Sequence, residues 1–255
     1  MPTSAGHGGV PWWDTTRLQL DDAMTTIQID TPDGRIEALL NLPQGQGPWP
    51  GVVVIHDALG YRRDKEAINE RIARAGYAAL TPNLYSRGGR IRCITRVMRE
   101  MQTQRGRALD DILAARDHLQ GMQECSGRVG IAGFCMGGHF ALVMSPKGFG
   151  ASAPFYGTPL PRNLDQTLDG ACPIVASFGG RDPLGRGAPD KFREVTAARQ
   201  ITTDIKVYPG VGHSFANTLP AQPLLRIAGF GYDEAATEDA WRRVFAFFGE
   251  HLKQE

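Results

Sequence analysis

The sequence has no apolar run long enough to cross a membrane, and its N-terminus does not have the pattern of a secretory signal. A membrane helix needs roughly 18 or more consecutive apolar residues, and no run approaches that length. A secretory signal needs a basic segment followed by an apolar core, and the first 20 residues contain neither. We therefore expect a cytoplasmic protein that acts without a membrane.

Cysteine is scarce, and the net charge is close to zero. The four cysteines, Cys93, Cys125, Cys135 and Cys172, show neither Cys-x-x-Cys spacing nor the spacing of zinc ligands. We expect reduced thiols without a disulfide framework, a metal or a cofactor. The 28 Lys and Arg residues are balanced by 27 Asp and Glu residues, whereas nucleic-acid binding needs a strongly basic face. The expected partner is a small molecule, not nucleic acid.

What the sequence does contain is a regular alternation of strand and helix patterns. A continuous β-branched run at 51–55 is typical of a parallel strand buried on both faces. The apolar stripe over 235–252 is typical of a helix packed on a sheet. Such alternation predicts an α/β protein with a doubly wound, mostly parallel sheet. Residues 25–30 and 35–42, joined by a Pro-Asp-Gly turn, predict an N-terminal antiparallel hairpin.

One domain is expected over residues 23–255, preceded by an N-terminal extension of residues 1–22. The extension is rich in Gly, Pro and Thr and holds two adjacent tryptophans, Trp12 and Trp13. We expect these rings to pack on the domain, and a contact between two copies is the alternative. A monomer and a homodimer both remain open.

The stretch Gly133-Phe134-Cys135-Met136-Gly137-Gly138 lies between a strand pattern and a helix pattern. Glycines two residues before and two after a central residue are typical of a nucleophile elbow, because strand and helix approach closely there. The central Cys135 would lie at a helix N-terminus, which favours a thiolate. The alternative is a packing turn in which Cys135 is a buried apolar filler.

Two further residues favour the catalytic interpretation. Asp182 and His213 each follow a strand pattern in a Gly-rich turn, and the carboxyl ends of parallel strands meet at one edge of a sheet. The order nucleophile, acid, histidine is that of the α/β-hydrolase fold. We predict that Cys135 attacks, His213 accepts its proton and Asp182 orients the imidazole. The N–H groups of Met136 and Ala58 are the predicted oxyanion hole.

These motifs resemble the dienelactone hydrolase family, in order and in spacing. The matching stretches are His56-Asp57-Ala58-Leu59-Gly60, Thr81-Pro82-Asn83-Leu84-Tyr85-Ser86-Arg87, the elbow, Gly179-Gly180-Arg181-Asp182 and Gly212-His213-Ser214-Phe215. The resemblance covers about residues 24–252. It implies an α/β-hydrolase fold, a Cys135–His213–Asp182 triad and the hydrolysis of a lactone or another activated ester.

The resemblance also implies substrate-binding positions, and two of them depart from the family pattern. Family members have a Glu that engages the resting thiol and two arginines that hold the substrate carboxylate. Here these positions are Asp57, Arg87 and Asn217, and Tyr156 completes the predicted substrate-binding set. An amide cannot pair ionically with a carboxylate. The substrate is therefore expected to be less acidic, or to be bound by the basic segment 86–107.

That segment holds seven arginines and one acid, Glu100. For most of the arginines we predict a solvated helix face, whereas Arg87 follows a strand end and is expected to point into the cleft. The apolar segment Leu219–Tyr232 is expected to shape the pocket mouth. Two alternative functions remain open: a general carboxylesterase for small neutral esters, and a non-catalytic binding or redox-sensing protein that carries a thiol.

Overall fold

The computed structural model describes residues 24–60, 63–218 and 228–253. The predictions for residues 1–22, with Trp12 and Trp13, lie outside these ranges, as does most of the segment predicted to shape the pocket mouth. The strands are β1 (Met24–Ile29), β2 (Ile36–Asn41), β3 (Trp49–Ile55), β4 (Ala78–Pro82), β5 (Cys125–Phe134), β6 (Ser152–Phe155), β7 (Ile174–Gly179) and β8 (Thr203–Tyr208). The helices are α1 (Arg63–Arg74), α2 (Gly89–Thr103), α3 (Arg107–Gly121), α4 (Met136–Met144), α5 (Leu164–Thr167), α6 (Ala188–Ala198) and α7 (Glu234–Leu252).

The strands form one sheet in the order β1-β2-β4-β3-β5-β6-β7-β8. β1 pairs antiparallel with β2, and β2 pairs antiparallel with β4. From β4 to β8 every pairing is parallel. The predicted N-terminal hairpin and the predicted parallel sheet are both confirmed. The order places β3 and β5, which lead into the expected oxyanion loop and the elbow, side by side at the centre.

Helices cover both faces of this sheet, and β3 shows why. Its Val53 and Ile55 belong to one buried cluster, with residues of α2, α3 and α4. Its Val52 and Val54 belong to a second cluster, with residues of α1 and α7. Because side chains alternate along a strand, a continuous apolar run needs apolar cover on both sides. The β-branched run therefore predicted the doubly wound arrangement correctly.

The basic segment 86–107 forms α2 and the turns around it. Five of its seven arginines are exposed, at positions 90, 92, 99, 105 and 107, which confirms the predicted solvated face. Arg96 instead pairs with Glu100 one turn away, at 2.8 Å. None of the helices in the described ranges is both long and apolar enough to span a membrane.

Candidate active site

The elbow connects β5 to α4 through Cys135 alone. Cys135 has φ 54° and ψ −114°, a region that residues with a Cβ rarely occupy. A Cβ on Gly137 would overlap the carbonyl oxygen of Ile55 and lie 2.8 Å from that of His56. Only a glycine allows the first turn of α4 to approach the end of β3 so closely. The strained turn presents the half-buried Cys135 side chain at the edge of the sheet.

The loop after β3 lies beside the elbow because β3 and β5 are paired. Ile55 pairs with Gly133, so the residues that follow each partner leave the sheet together. The N–H groups of Leu59 and Gly60 donate within this loop to Asp57, at 2.8 and 3.0 Å. Within the described ranges the N–H of Ala58 has no acceptor.

Met136 is the first residue of α4, and the first N–H groups of a helix lack intrahelical acceptors. The N–H groups of Met136 and Ala58 are therefore two donors near Cys135. Tyr85 holds this region together: its hydroxyl lies 3.3 Å from the carbonyl oxygen of Ala58 and 3.7 Å from the sulfur of Met136. The two predicted oxyanion donors therefore lie on adjacent elements, linked by one tyrosine.

His213 and Asp182 form a buried hydrogen-bonded pair. Nδ1 of His213 donates to Oδ2 of Asp182 at 2.8 Å, because an ionised carboxylate can only accept. The same oxygen accepts from the Thr158 hydroxyl at 2.7 Å, and Oδ1 accepts from the N–H of Leu184 at 2.8 Å. Burial opposes ionisation of Asp182, but the hydrogen bonds from His213 and Thr158 outweigh it and lower its pKa. The carboxylate stays charged and fixes the imidazole tautomer.

The second ring nitrogen of His213, Nε2, is not used by Asp182. Nε2 of His213 is buried and makes no hydrogen bond of standard geometry with a described residue. Burial disfavours the imidazolium, but Asp182 and Cys135 outweigh burial and raise the pKa of His213 to about 9. Catalytic hydrogen bonds are often poorly aligned before substrate binds. The arrangement allows the thiol proton to move to His213.

The polar ends of Asp57, Asn217 and Tyr156 are bound by other residues of the chain. Oδ2 of Asp57 lies 3.3 Å from the ammonium of the buried Lys65. The Asn217 amide donates to Asp64 at 3.0 Å and accepts from the Tyr156 hydroxyl. The Tyr156 ring lies 5.1 Å from the His213 ring. These contacts join α1 to the loops that follow β3, β6 and β8.

Lys65 belongs to the site although no sequence motif indicates it. A signal was present, since Lys65 lies three and seven residues before the buried Ile68 and Ile72 of α1. Residues at this spacing share one face of a helix, so Lys65 had to face the core. A buried lysine needs a counterion, and the carboxylates of Asp57 and Asp64 supply it.

Arg87 corrects the expectation that it points into the cleft. Its two terminal nitrogens each lie 2.9 Å from a carboxylate oxygen of Asp111 in α3. One of them also donates to Thr31 and Gly34 in the hairpin turn, at 2.5 and 3.0 Å. Asp111 is 1% exposed, and a buried carboxylate binds a guanidinium strongly in this bidentate geometry. Arg87 therefore joins the hairpin to α3.

Replacing Arg87 with methionine is expected to destabilise the fold without weakening substrate binding. The change leaves the buried Asp111 carboxylate unpaired, which costs about 3 kcal/mol. Chemical denaturation should show this loss, while KM for a soluble ester stays unchanged. The exposed Arg90 gives a matched control, since its methionine variant should change stability by about 0.5 kcal/mol or less. A raised KM with no loss of stability would contradict this assignment.

His56 supports the site in the neutral form. Its Nδ1 donates to the carbonyl oxygen of Asp57 at 2.8 Å, and its Nε2 accepts from the N–H of Leu84 at 3.3 Å. Burial lowers the pKa of His56 to about 4, so the ring is uncharged at neutral pH. No group of His, Cys, Asp or Glu within 24–60, 63–218 and 228–253 is arranged to hold a metal ion.

Comparisons with known proteins identify the family of the chain. The profile of the dienelactone hydrolase family matches residues 36–252. A "Putative carboxymethylenebutenolidase" of Methylorubrum extorquens is 27% identical over 246 residues, covering 88% of this chain and 80% of that protein. "Protein usf" of Aquifex pyrophilus is 27% identical over 243 residues, covering 89% and 98%.

The fold is also that of solved structures. A dienelactone hydrolase from Anabaena variabilis superposes with a TM-score of 0.61 at 19% identity, covering 90% of this chain and 98% of that one. The predicted α/β-hydrolase fold, the family resemblance and the prediction of a carboxylic ester hydrolase are confirmed. The chain is a carboxylic ester hydrolase that belongs to the dienelactone hydrolase family.

Proposed function

We propose that this hydrolase cleaves a carboxylic ester or lactone through a Cys135–His213–Asp182 triad and a thioester acyl-enzyme. One observation carries the proposal: Cys135, at a strained turn, interacts with His213, which a buried aspartate holds in the required tautomer. A thiol becomes a strong nucleophile when an adjacent base takes its proton. The arrangement supplies nucleophile, base and orienting acid.

In the acylation step, His213 takes the proton of Cys135 and the thiolate attacks the ester carbonyl carbon. The carbonyl oxygen becomes an oxyanion, which the N–H groups of Met136 and Ala58 stabilise. The intermediate then expels the alkoxide, which leaves with the proton held by His213. The products are a free alcohol and a thioester on Cys135; with a lactone, both remain on one molecule.

In the deacylation step, His213 acts as the base for water. Water loses a proton to Nε2 and attacks the thioester carbonyl, and the thiolate leaves. Asp182 stabilises the imidazolium in both steps. Esters and lactones suit this site because their alkoxide leaves readily, whereas an amide needs stronger protonation of its leaving group.

Neutral esters are the substrate class that the described contacts favour. At position 87 the guanidinium is bound by Asp111, and at position 217 an asparagine is bound by Asp64 and Tyr156. Neither position offers a free cation for a substrate carboxylate, and a charge-assisted pair is among the stronger recognition contacts. An anionic dienelactone would therefore bind without either of these ion pairs.

A panel of matched esters tests the substrate class. The panel pairs an anionic dienelactone with its methyl ester, so that only the carboxylate differs. We expect kcat/KM to be at least about tenfold higher for the methyl ester. This ratio corresponds to a difference of about 1.4 kcal/mol in recognition of the two compounds. A preference for the anionic dienelactone would contradict the neutral class, and turnover of neither compound would contradict the hydrolysis of dienelactones.

The pH dependence of alkylation tests the activated thiol. For an ordinary cysteine, the thiolate fraction rises about 50-fold from pH 6.5 to pH 8.5, and the rate of reaction with iodoacetamide rises by the same factor. Hydrogen bonds and charges of Asp182 and Cys135 raise the pKa of His213 to about 9, so the proposed pair of thiolate and imidazolium should give a nearly constant rate over that range. Cys172 is an internal reference, because burial raises its pKa to about 12. A Cys135 rate that follows the free-thiol curve would contradict the pair.

A further inference from the structure

A fully buried lysine lies near the elbow. The Lys65 ammonium lies 3.3 Å from Oδ2 of Asp57 and 2.6 Å from Oδ2 of Asp64. It also lies 5.5 Å from the ring centroid of Phe134, the residue before Cys135. Burying an ammonium and two carboxylates together is costly, and hydrophobic residues of similar volume often replace such groups without loss of stability. A functional role therefore explains this cluster better than a contribution to stability does.

Asp57 is placed where its charge would oppose a thiolate. Asp57 and Cys135 each lie two residues beyond the paired Ile55 and Gly133, at the ends of neighbouring parallel strands. The pKa of Tyr156 is raised mainly by burial and then by nearby charges, which include those of Asp57 and Cys135. The two groups thus share one buried region. A carboxylate there disfavours a second negative charge.

Two contacts direct the Asp57 carboxylate away from the Cys135 thiol. Oδ1 accepts from the N–H of Leu59 in its own loop at 2.8 Å, and Oδ2 faces the Lys65 ammonium. Both oxygens are therefore directed to partners other than the thiol. The ammonium also supplies the opposite charge.

Asp64 holds Lys65 from the other side and connects it to the histidine loop. Its Oδ2 accepts from Lys65 and from the Asn217 amide. Asn217 in turn accepts from Tyr156, whose ring packs against His213. The chain of contacts fixes the ammonium between the two loops that border Cys135.

We propose that Lys65 is a positioning residue that holds and neutralises the Asp57 carboxylate, so that Cys135 exchanges its proton with His213 alone. The proposal rests on the proposed nucleophilic role of Cys135. Through Lys65, α1 takes part in activating the thiol, although α1 contributes no reacting atom.

Within residues 24–60, 63–218 and 228–253, four titratable groups face the thiol region, each from a different element. They are Asp57 after β3, Tyr85 after β4, Tyr156 after β6 and His213 after β8. Burial first of all raises the pKa of both tyrosines, so they stay neutral in the neutral pH range. Among the residues that the structure describes, Asp57 and His213 are then the two of these four groups that carry charge beside the thiol.

Two double variants with the same net charge test the proposal. Asp64→Asn/Lys65→Met leaves Asp57 without its counterion, whereas Asp57→Asn/Lys65→Met removes the carboxylate beside the thiol. The readout is the rate at which iodoacetamide labels the Cys135 peptide at pH 6.5, followed by mass spectrometry. We expect the first variant to react about tenfold or more slowly than wild type, since an adjacent like charge shifts a pKa by at least about one unit. The second should react within about threefold of wild type.

Equal rates in the two double variants would overturn the proposal, because a merely structural lysine would affect both alike. The single variant Asp57→Asn keeps Lys65 and Asp64 paired and protects the test against misfolding of the doubles. Its labelling rate should equal or exceed that of wild type, and a clear decrease would overturn the proposal too. Labelling needs no turnover, so failure of the proposed ester hydrolysis is detected separately by the activity of Cys135→Ala.

Discussion

Cys135→Ala is expected to lose ester hydrolysis by a factor on the order of 10⁴ or more in kcat/KM, while the fold is kept. The magnitude follows from removing the nucleophile of a triad, after which only the oxyanion donors and substrate binding still act. The alanine removes only the sulfur, which packs at the edge of a large aromatic cluster. The measurement is steady-state hydrolysis of a neutral activated ester, with circular dichroism to show that the fold is unchanged.

Cys172→Ala is the matched control for this variant. Like Cys135, Cys172 is a free, half-buried cysteine, but it packs with the partly buried residues around another cluster. Its alanine variant should keep wild-type activity. If Cys135→Ala kept full activity, hydrolysis would proceed without the thiol and the proposed mechanism would be wrong.

Gly137→Ala is expected to destabilise the fold by about 4 kcal/mol or more, enough to unfold many domains of ordinary stability. A Cβ at this position would lie 2.7 Å from the carbonyl carbon of Ile55 and 2.8 Å from the carbonyl oxygen of His56. Both neighbours are backbone atoms of a central strand and its loop, so neither moves cheaply. Thermal and urea unfolding of the purified variant measure the loss.

Gly249→Ala provides the opposite control within the same chain. Gly249 lies inside α7, and a Cβ there would meet no atom within 4 Å. Because alanine favours a helix over glycine by about 1 kcal/mol, this variant should be slightly more stable than wild type. If both alanine variants were equally stable, the close approach of α4 to β3 would not be what the glycine at 137 serves.

The sequence predicted the parts of this molecule that depend on local pattern. The β-branched run in β3 and the apolar stripe of α7 required apolar neighbours on defined faces, so the doubly wound sheet followed. The elbow followed from glycines whose neighbours leave no space for a Cβ. In each case one short stretch contains the whole physical reason.

The pattern could not predict contacts between distant parts of the chain. Arg87 satisfies a buried carboxylate 24 residues away, and local sequence does not show which of the seven arginines meets Asp111. Asn217 appeared only as a missing cation, whereas the structure shows it joining Asp64 to Tyr156. Burial of Lys65 was visible in its helical spacing, but its two partners were set by tertiary packing.

The most direct test of the account is the mass of the Cys135 peptide during turnover. Wild-type enzyme is mixed with an excess of an activated neutral ester, quenched in acid within the first turnovers and digested at low pH, where a thioester survives. The thioester mechanism predicts a peptide heavier by one acyl group, with the acyl group on Cys135 and absent after the ester is exhausted. Hydrolysis at the wild-type rate with no acylated Cys135 peptide, or with the acyl group on another residue, would contradict it.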